Sequence, residues 1–346
     1  MIWTKTFLST HTRSLSGRTV AITGSTGGIG RELCRYLAAL GADLILLDRN
    51  EAKSQGHRKD LLDSFPETLV ECISLDLEDI SSVTRACEGL RDRPLDILIH
   101  NAGAYSIPRH KTSCGYDNVF QINFASPYYM IDALLPTLRD RGGRVIVVGS
   151  IAHRYSKTDP SDVDFSTRSA SSLVYGNAKR YLMFGLWERF LCEEGVSLVV
   201  AHPGITLTGI TAHYPKVIFA IIKHPMKVIF MRPAQAALSI LWGAFEDAGA
   251  YEWLGPKCFD VWGLPKKKKL RVPSQEERRR VAACSEQVLR RCKECVNEAD
   301  LMERQRLSSR SRKGLWRVLR GAGSRSLCPA GDQDAAGTSR LCSRGL

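Results

Sequence analysis

The chain of 346 residues lacks any stretch approaching the roughly 20 uninterrupted apolar residues that span a membrane. It also lacks the apolar core of a secretory leader, and its 11 cysteines follow no regular framework. Both absences point to a reducing compartment and a cytoplasmic location. There is no internal repeat. A metal is not expected, because Cys292-Lys-Glu-Cys295, with Cys284 upstream, has no second ligand pair at zinc spacing. Acidic residues are scarce at one end only. From Gln305 onward Asp332 and Asp334 are all that oppose 9 basic residues, so this tail carries +7 of the net +13. The remainder is mildly basic, and no folded motif that reads sequence accompanies the charge, so no nucleic-acid partner is implied.

What the chain does have is an apolar fraction of 44%, enough for a sizeable core. Apolar runs suited to strands alternate with helical patterns from Arg18 to about Pro256. They lie at 18–23, 43–48, 69–76, 95–100, 143–148 and 196–201, with a last candidate at Glu252-Trp-Leu. Strands apolar on both faces and separated by helices predict an α/β fold with a Rossmann-like, doubly wound parallel sheet. The predicted layout is a lead-in over 1–14, one domain over 15–300 and a basic tail over 305–346. Within it, Ser274-x-x-Glu277 is a capping box that opens a charged amphipathic helix from Gln275 to about Arg304. From Leu307 the composition turns to Ser, Arg and Gly and predicts disorder. Lys266 to Lys269 reads as a solvated turn.

The run Thr23-Gly24-Ser25-Thr26-Gly27-Gly28-Ile29-Gly30 stands between the first strand and a helix that stops at Gly41. Strand, glycine-rich turn and helix together form the context that binds a pyrophosphate, although Gly24, Gly28, Gly30 departs from the usual dinucleotide spacing. Further on, Tyr175-Gly-Asn-Ala-Lys179 places a phenol and an ammonium on one helix face. A Lys cation, aided by the charge of an oxidised nicotinamide, favours the phenolate and so lets the Tyr exchange a proton near neutral pH. Ser150, at the end of the fifth strand, is suited to hold a substrate oxygen, or simply to close a strand-to-loop turn. Asn123 reads equally as a capping or core amide.

In this order the motifs resemble the short-chain dehydrogenase/reductase family, over roughly Leu15 to Asn297. The family's nucleotide motif resembles Thr23-Gly24-x-x-x-Gly28-x-Gly30, and its Asn-Ala-Gly motif matches Asn101-Ala102-Gly103. Its catalytic tetrad matches Asn123, Ser150, Tyr175 and Lys179. Its Pro-Gly turn matches Pro203-Gly204, followed by Ile205, with Thr208 in place of a hydroxyl that contacts the nicotinamide amide. Asp76, followed by Leu77, falls where the family sets an Asp near the adenine. The resemblance implies cofactor contacts at Thr23, Gly24, Ser25, Gly28, Ile29, Gly30, Asp76, Leu77, Asn101, Ala102, Gly103, Tyr175, Lys179, Pro203, Gly204, Ile205 and Thr208. It implies that Lys179 holds the ribose and that Asn123 supports a water chain. The 25 residues from Ser150 to Tyr175, opened by Ser150-Ile-Ala-His153, resemble the retinol dehydrogenase-like branch, which implies a retinoid, steroid or other lipophilic alcohol or carbonyl.

The expected activity is therefore hydride transfer between NAD or NADP and an alcohol/carbonyl pair. At the end of the second strand, Asp48 would bond a ribose 2′-hydroxyl and favour NAD, whereas Arg49 would hold a 2′-phosphate; Asp48 tilts the expectation to NAD. Two other readings are a cofactor-bound sensor or scaffold, opposed by the complete tetrad, and a sugar-nucleotide epimerase or dehydratase, opposed by the absence of a large carboxy-terminal substrate domain. The apolar, Lys-bearing segment at about 205–232 is expected to form the substrate lid, with contact to a membrane surface as one outcome. Assembly as a homodimer or homotetramer is expected by resemblance.

Overall fold

The computed structural model describes residues 2–206 and 231–322. Residues 1–297 make one compact unit and 298–346 a second. The elements are α1 (Ile2–His11), β1 (Thr19–Thr23), α2 (Gly28–Ala39), β2 (Asp43–Asp48), α3 (Glu51–Ser64), β3 (Val70–Ser74), α4 (Ile80–Arg91) and β4 (Ile97–His100). There follow α5 (Asn118–Phe120), a π-helical turn (Gln121–Ala125), α6 (Ser126–Arg139), β5 (Arg144–Val148), a 3-10 turn (Ile151–Tyr155) and α7 (Ser171–Phe190). The unit closes with β6 (Ser197–Ala201), α8 (Pro233–Trp242), β7 (Glu252–Cys258), β8 (Trp262–Lys269) and the start of α9 (Gln275–Ala322).

The strands form one sheet in the order β3-β2-β1-β4-β5-β6-β7-β8. All pairings are parallel except β7 with β8. Both faces are covered, because β1, β4, β5 and β6 are apolar on successive residues. One core gathers Leu98, Val145, Val147, Phe124, Tyr181 and Leu182. The opposite core gathers Ile22, Ile99, Ile146, Leu33, Leu37 and Ile240. The chain reverses its strand order between β1 and β4, and this opens a crevice at the carboxyl ends of the strands.

The sheet matches the expected class, with three differences at its margins. The first segment is a helix, in which Phe7 packs edge-on against Trp242 at 5.8 Å. Lys266 to Lys269 is not a turn: these residues lie in edge strand β8, paired with Glu252 to Gly255 of β7. A lysine run reads as solvated, but it suits an edge strand, where charge discourages pairing with other chains. Third, α9 continues to Ala322, past Leu307, where the composition predicts disorder. Its Leu, Arg and Lys residues carry little intrinsic helix cost. The earlier turns of α9 bury Val281, Val288, Cys292 and Cys295 in the larger core. The nine cysteines among the described residues are all free. The expected lid lies almost wholly outside the described residues, as does the tail beyond 322.

The tightest approach in the sheet's crevice is at Gly30, where an added Cβ would stand 2.2 Å from the Gly24 carbonyl oxygen. Gly30→Ala is expected to destabilise the protein by about 1–3 kcal/mol through this overpacking. A thermal melt reads the effect as a lowered Tm, and an unchanged Tm would show that the turn can shift to make room.

Candidate active site

Two hollows meet at the crevice. The first, of about 420 Å³, is floored by Gly24, Gly27, Gly28 and Gly30 and walled by Asp76, Leu77 and Asn101 to Gly103. Its backbone is bared for a reason: Gly24 has φ +70, a conformation that favours glycine, and its added Cβ would stand 3.0 Å from Ala102 Cα. The entry to α2 has no side-chain cap at Gly27, so its first amides are open to an anion. The facing strand end is stitched on by Asn101 Nδ2, which donates to Gly24 O at 3.0 Å and to Thr23 O at 3.2 Å. Such a groove fits a nicotinamide dinucleotide.

Two residues expected to touch that cofactor lie behind the groove. Thr23 and Ser25 are fully buried. The Thr23 hydroxyl accepts from Ala102 N at 3.0 Å, and Ser25 Oγ donates to Asp48. Asp48 itself is only 4% exposed. One carboxylate oxygen takes Thr26 N and Thr26 Oγ1, and the other takes the Ser25 and Ser54 hydroxyls. A carboxylate has about four acceptor positions, so this one is saturated. Arg49 is exposed, lines the same groove and is paired with none of the described residues. Lys53, Asn50 and Thr26 also line the groove and went unnoticed in the sequence, where nothing marks them out from other turn and helix residues.

The second hollow, of about 250 Å³, brings together Ser150, Tyr175, Lys179, Pro203, Gly204 and Ile205. It shares Ile29, Asn101 and Gly103 with the first, so the two are continuous. Thr208 lies outside the described residues. The Ser150 hydroxyl caps the 3-10 turn, accepting from Ala152 N at 3.2 Å. It lines the same hollow as Tyr175. Burial pushes Tyr175 up to about 12, and the neighbouring Ser150 hydroxyl pulls the other way. Lys179, also buried, is pushed down to about 8 by desolvation, and its Nζ donates to Val148 O at 2.8 Å. The ammonium lies 5.8 Å from the Tyr175 ring centroid. Tyr105, which the sequence did not single out, meets Tyr175 edge-on at 5.3 Å.

Asn123 sits within the π-helical turn, where helical hydrogen bonding slips by one residue. Its amide donates to Ala104 O and Val119 O, each at 2.8 Å, and its oxygen accepts from Ala104 N at 3.3 Å. These bonds tie the Asn101–Gly103 wall to the α5–α6 region. This is the core-satisfying amide that the sequence reading offered for Asn123.

This arrangement has known counterparts. The family model described as short chain dehydrogenase matches residues 18–161. An uncharacterized oxidoreductase of Schizosaccharomyces pombe is 31% identical over 263 residues, covering 71% of this chain and 77% of that protein. The chain belongs to the short-chain dehydrogenase/reductase family. It is an NAD(P)-dependent oxidoreductase acting on CH–OH groups. A chloroplastic short-chain dehydrogenase of Brassica napus is 31% identical over 219 residues, 59% of this chain and 68% of that one. A solved structure from Mycobacterium paratuberculosis superposes with a TM-score of 0.63 at 25% identity, over 82% of this chain and 95% of that one. Among the described residues of this family member no helix is long and apolar enough to cross a membrane.

Four buried histidines give the fold an acid-sensitive side. Burial holds His57 below its ordinary value, His100 at about 3, and His153 and His202 at about 4. The unfolded chain titrates them near 6.5. Between about pH 4 and 6.5 the unfolded state therefore binds more protons, and stability falls as pH drops through that window. His100, His153 and His202 each contribute up to about 1.4 kcal/mol per pH unit there. Thermal melts at pH 7.5, 6 and 5 should show a falling Tm; a flat series would mean the imidazoles are solvated.

Proposed function

We propose that this dehydrogenase interconverts a lipophilic alcohol and its carbonyl, with Tyr175 as acid/base, Ser150 orienting the substrate oxygen and Lys179 holding the cofactor ribose. The observation that carries the reading is the convergence of Ser150, Tyr175 and Lys179 in a hollow continuous with the glycine-floored groove. Asn101, Ser172, His202 and Thr206 also line the hollow, and between the polar groups Tyr105, Ile151, Ala152, Tyr155 and Ile205 give it apolar wall, which suits an apolar substrate. When bound, NAD(P) supplies or accepts the hydride and, in its oxidised form, a positive charge.

In the reductive direction Tyr175 gives its proton to the developing alkoxide. Ser150 holds that oxygen, so charge grows against a fixed donor. With Tyr175 raised by burial, the phenol is the form at hand near neutral pH. In the oxidative direction a phenolate is needed, and a cation in the neighbouring groove is what favours it. Asn101, Ala102, Gly103, Pro203, Gly204 and Ile205 would form the walls around the nicotinamide, with Asp76 and Leu77 beside the adenine.

NADP is the cofactor we assign. Asp48, the group that favoured NAD, is saturated within the protein, and the exposed Arg49 fits a 2′-phosphate. Fluorescence titration should find NADPH bound more tightly than NADH. Arg49→Gln should weaken NADPH by about 10- to 100-fold, the worth of a charged hydrogen bond, and leave NADH unchanged. Equal affinities in the parent would return the assignment to NAD.

Tyr175→Phe tests the chemistry. Reduction of aromatic aldehydes and cyclic ketones should fall at least about 10²-fold while cofactor affinity stays at the parent value. Turnover retained by the phenylalanine variant would remove Tyr175 from its role.

A further inference from the structure

The end of β5 is held in an unusual way. Three successive carbonyls, those of Val148, Gly149 and Ser150, each face a nitrogen of a buried side chain. Lys179 Nζ donates to Val148 O at 2.8 Å. His202 Nδ1 faces Gly149 O at 3.3 Å. His153 Nδ1 meets Ser150 O at 2.7 Å. A carbonyl can only accept, so the neutral His153 ring carries its proton on Nδ1.

Both imidazoles are held by one indole. His202 lies flat on Trp253, with ring centroids 4.7 Å apart and planes 8° from parallel. His153 meets the same ring edge-on at 5.7 Å and also abuts Phe184 at 5.7 Å. His202 Nε2 is anchored at 2.9 Å on Asp260 O, in the turn between β7 and β8. Trp253 is fully buried, so the bracket does not depend on solvent. His153 itself is 5% exposed.

The 3-10 turn brings His153 back beneath the serine three residues earlier. Its backbone N also reaches Ser150 O, at a longer 3.2 Å. The Ser150 hydroxyl is fixed at its other side by Ala152 N. Rotation of the Ser150–Ile151 peptide would carry Ala152 N away and free the hydroxyl to leave its direction, and the bond from the imidazole is the shortest restraint on that rotation.

We propose that His153 is a positioning residue, braced by Trp253 and His202, whose Nδ1–H sets the direction of the Ser150 hydroxyl by holding the Ser150 carbonyl. The proposal rests on the role given to Ser150 above. His153 touches neither substrate nor cofactor, so it acts on the rate through the serine alone.

The test is a cycle on the full chain, with NADPH saturating and aromatic aldehydes and cyclic ketones as probes. The variants are His153→Leu, His153→Asn, Ser150→Ala and the Ser150→Ala/His153→Leu pair. The amide nitrogen of Asn can occupy the place of Nδ1, and Leu supplies bulk without a donor. His153→Leu should lower kcat by about 10- to 100-fold, the scale of a small misplacement at a reacting group. Its NADPH affinity should match the parent, which also shows that it folds. His153→Asn should recover most of the rate. In the pair, the second change should cost nothing beyond Ser150→Ala, because the group it positions is already gone.

Parent-like kcat in His153→Leu would overturn the proposal, as would equal losses in the Leu and Asn variants. Losses that multiply in the pair would also overturn it, since they indicate packing independent of the serine. Full turnover in Ser150→Ala, or none in the parent on any probe, would instead fail the reading of the site beneath it.

Discussion

The cofactor end of the sheet depends on how closely the first turn of α2 sits on the Gly24 carbonyl. That approach leaves no room for a side chain at Gly30 and sets Gly24 in a left-handed conformation. It also aims the uncapped amides of α2 at the groove. The buried carboxylate of Asp48 then locks the turn, taking bonds from Ser25, Thr26 and, on α3, Ser54. A strand end, a glycine turn and α3 are thereby fixed to one acidic group that is 4% exposed. Arg49 lines the groove beside it, together with Lys53 and Asp76.

The catalytic end shows the complementary physics. Burial raises the phenol of Tyr175 and lowers the ammonium of Lys179, so each is pushed toward its neutral form. Position is what the protein itself supplies. Carbonyls at the end of β5 are held by buried nitrogens, and Asn123 ties the opposite wall to the π-helical turn. A π-helical turn costs hydrogen-bond geometry, and here it places one amide where three backbone partners meet.

The parts of the site legible in the sequence were those written as local patterns. Gly24, Gly28 and Gly30 follow a strand and open a helix; Tyr175 and Lys179 are four apart on α7; Asn101 to Gly103 directly follow β4. Parts that depend on what lies across the fold were not legible. Ser25 carries a hydroxyl in a phosphate-binding motif, yet its partner is an Asp 23 residues away. Asp48 ends its strand where a ribose ligand would stand, and only the fold shows that three hydroxyls already bond to it. Lys266 to Lys269 has the composition of a solvated turn, and it became a strand because β7 offered an edge to pair with.

By itself, the sequence determined the class of fold, the strands at the centre of the sheet and the residue types of the chemistry. Those features rest on local periodicity and on motifs whose spacing is set within one element or its neighbour. Tertiary structure decided which of the candidate groups are free to act. Burial and hydrogen-bond saturation are properties of surroundings drawn from distant segments. Asp48 is occupied by residues of the glycine turn and of α3, and Ser150 is gripped from its own 3-10 turn while Trp253 of β7 braces the gripping ring. A chain read one residue at a time carries the identity of each group but not the number of bonds already made to it.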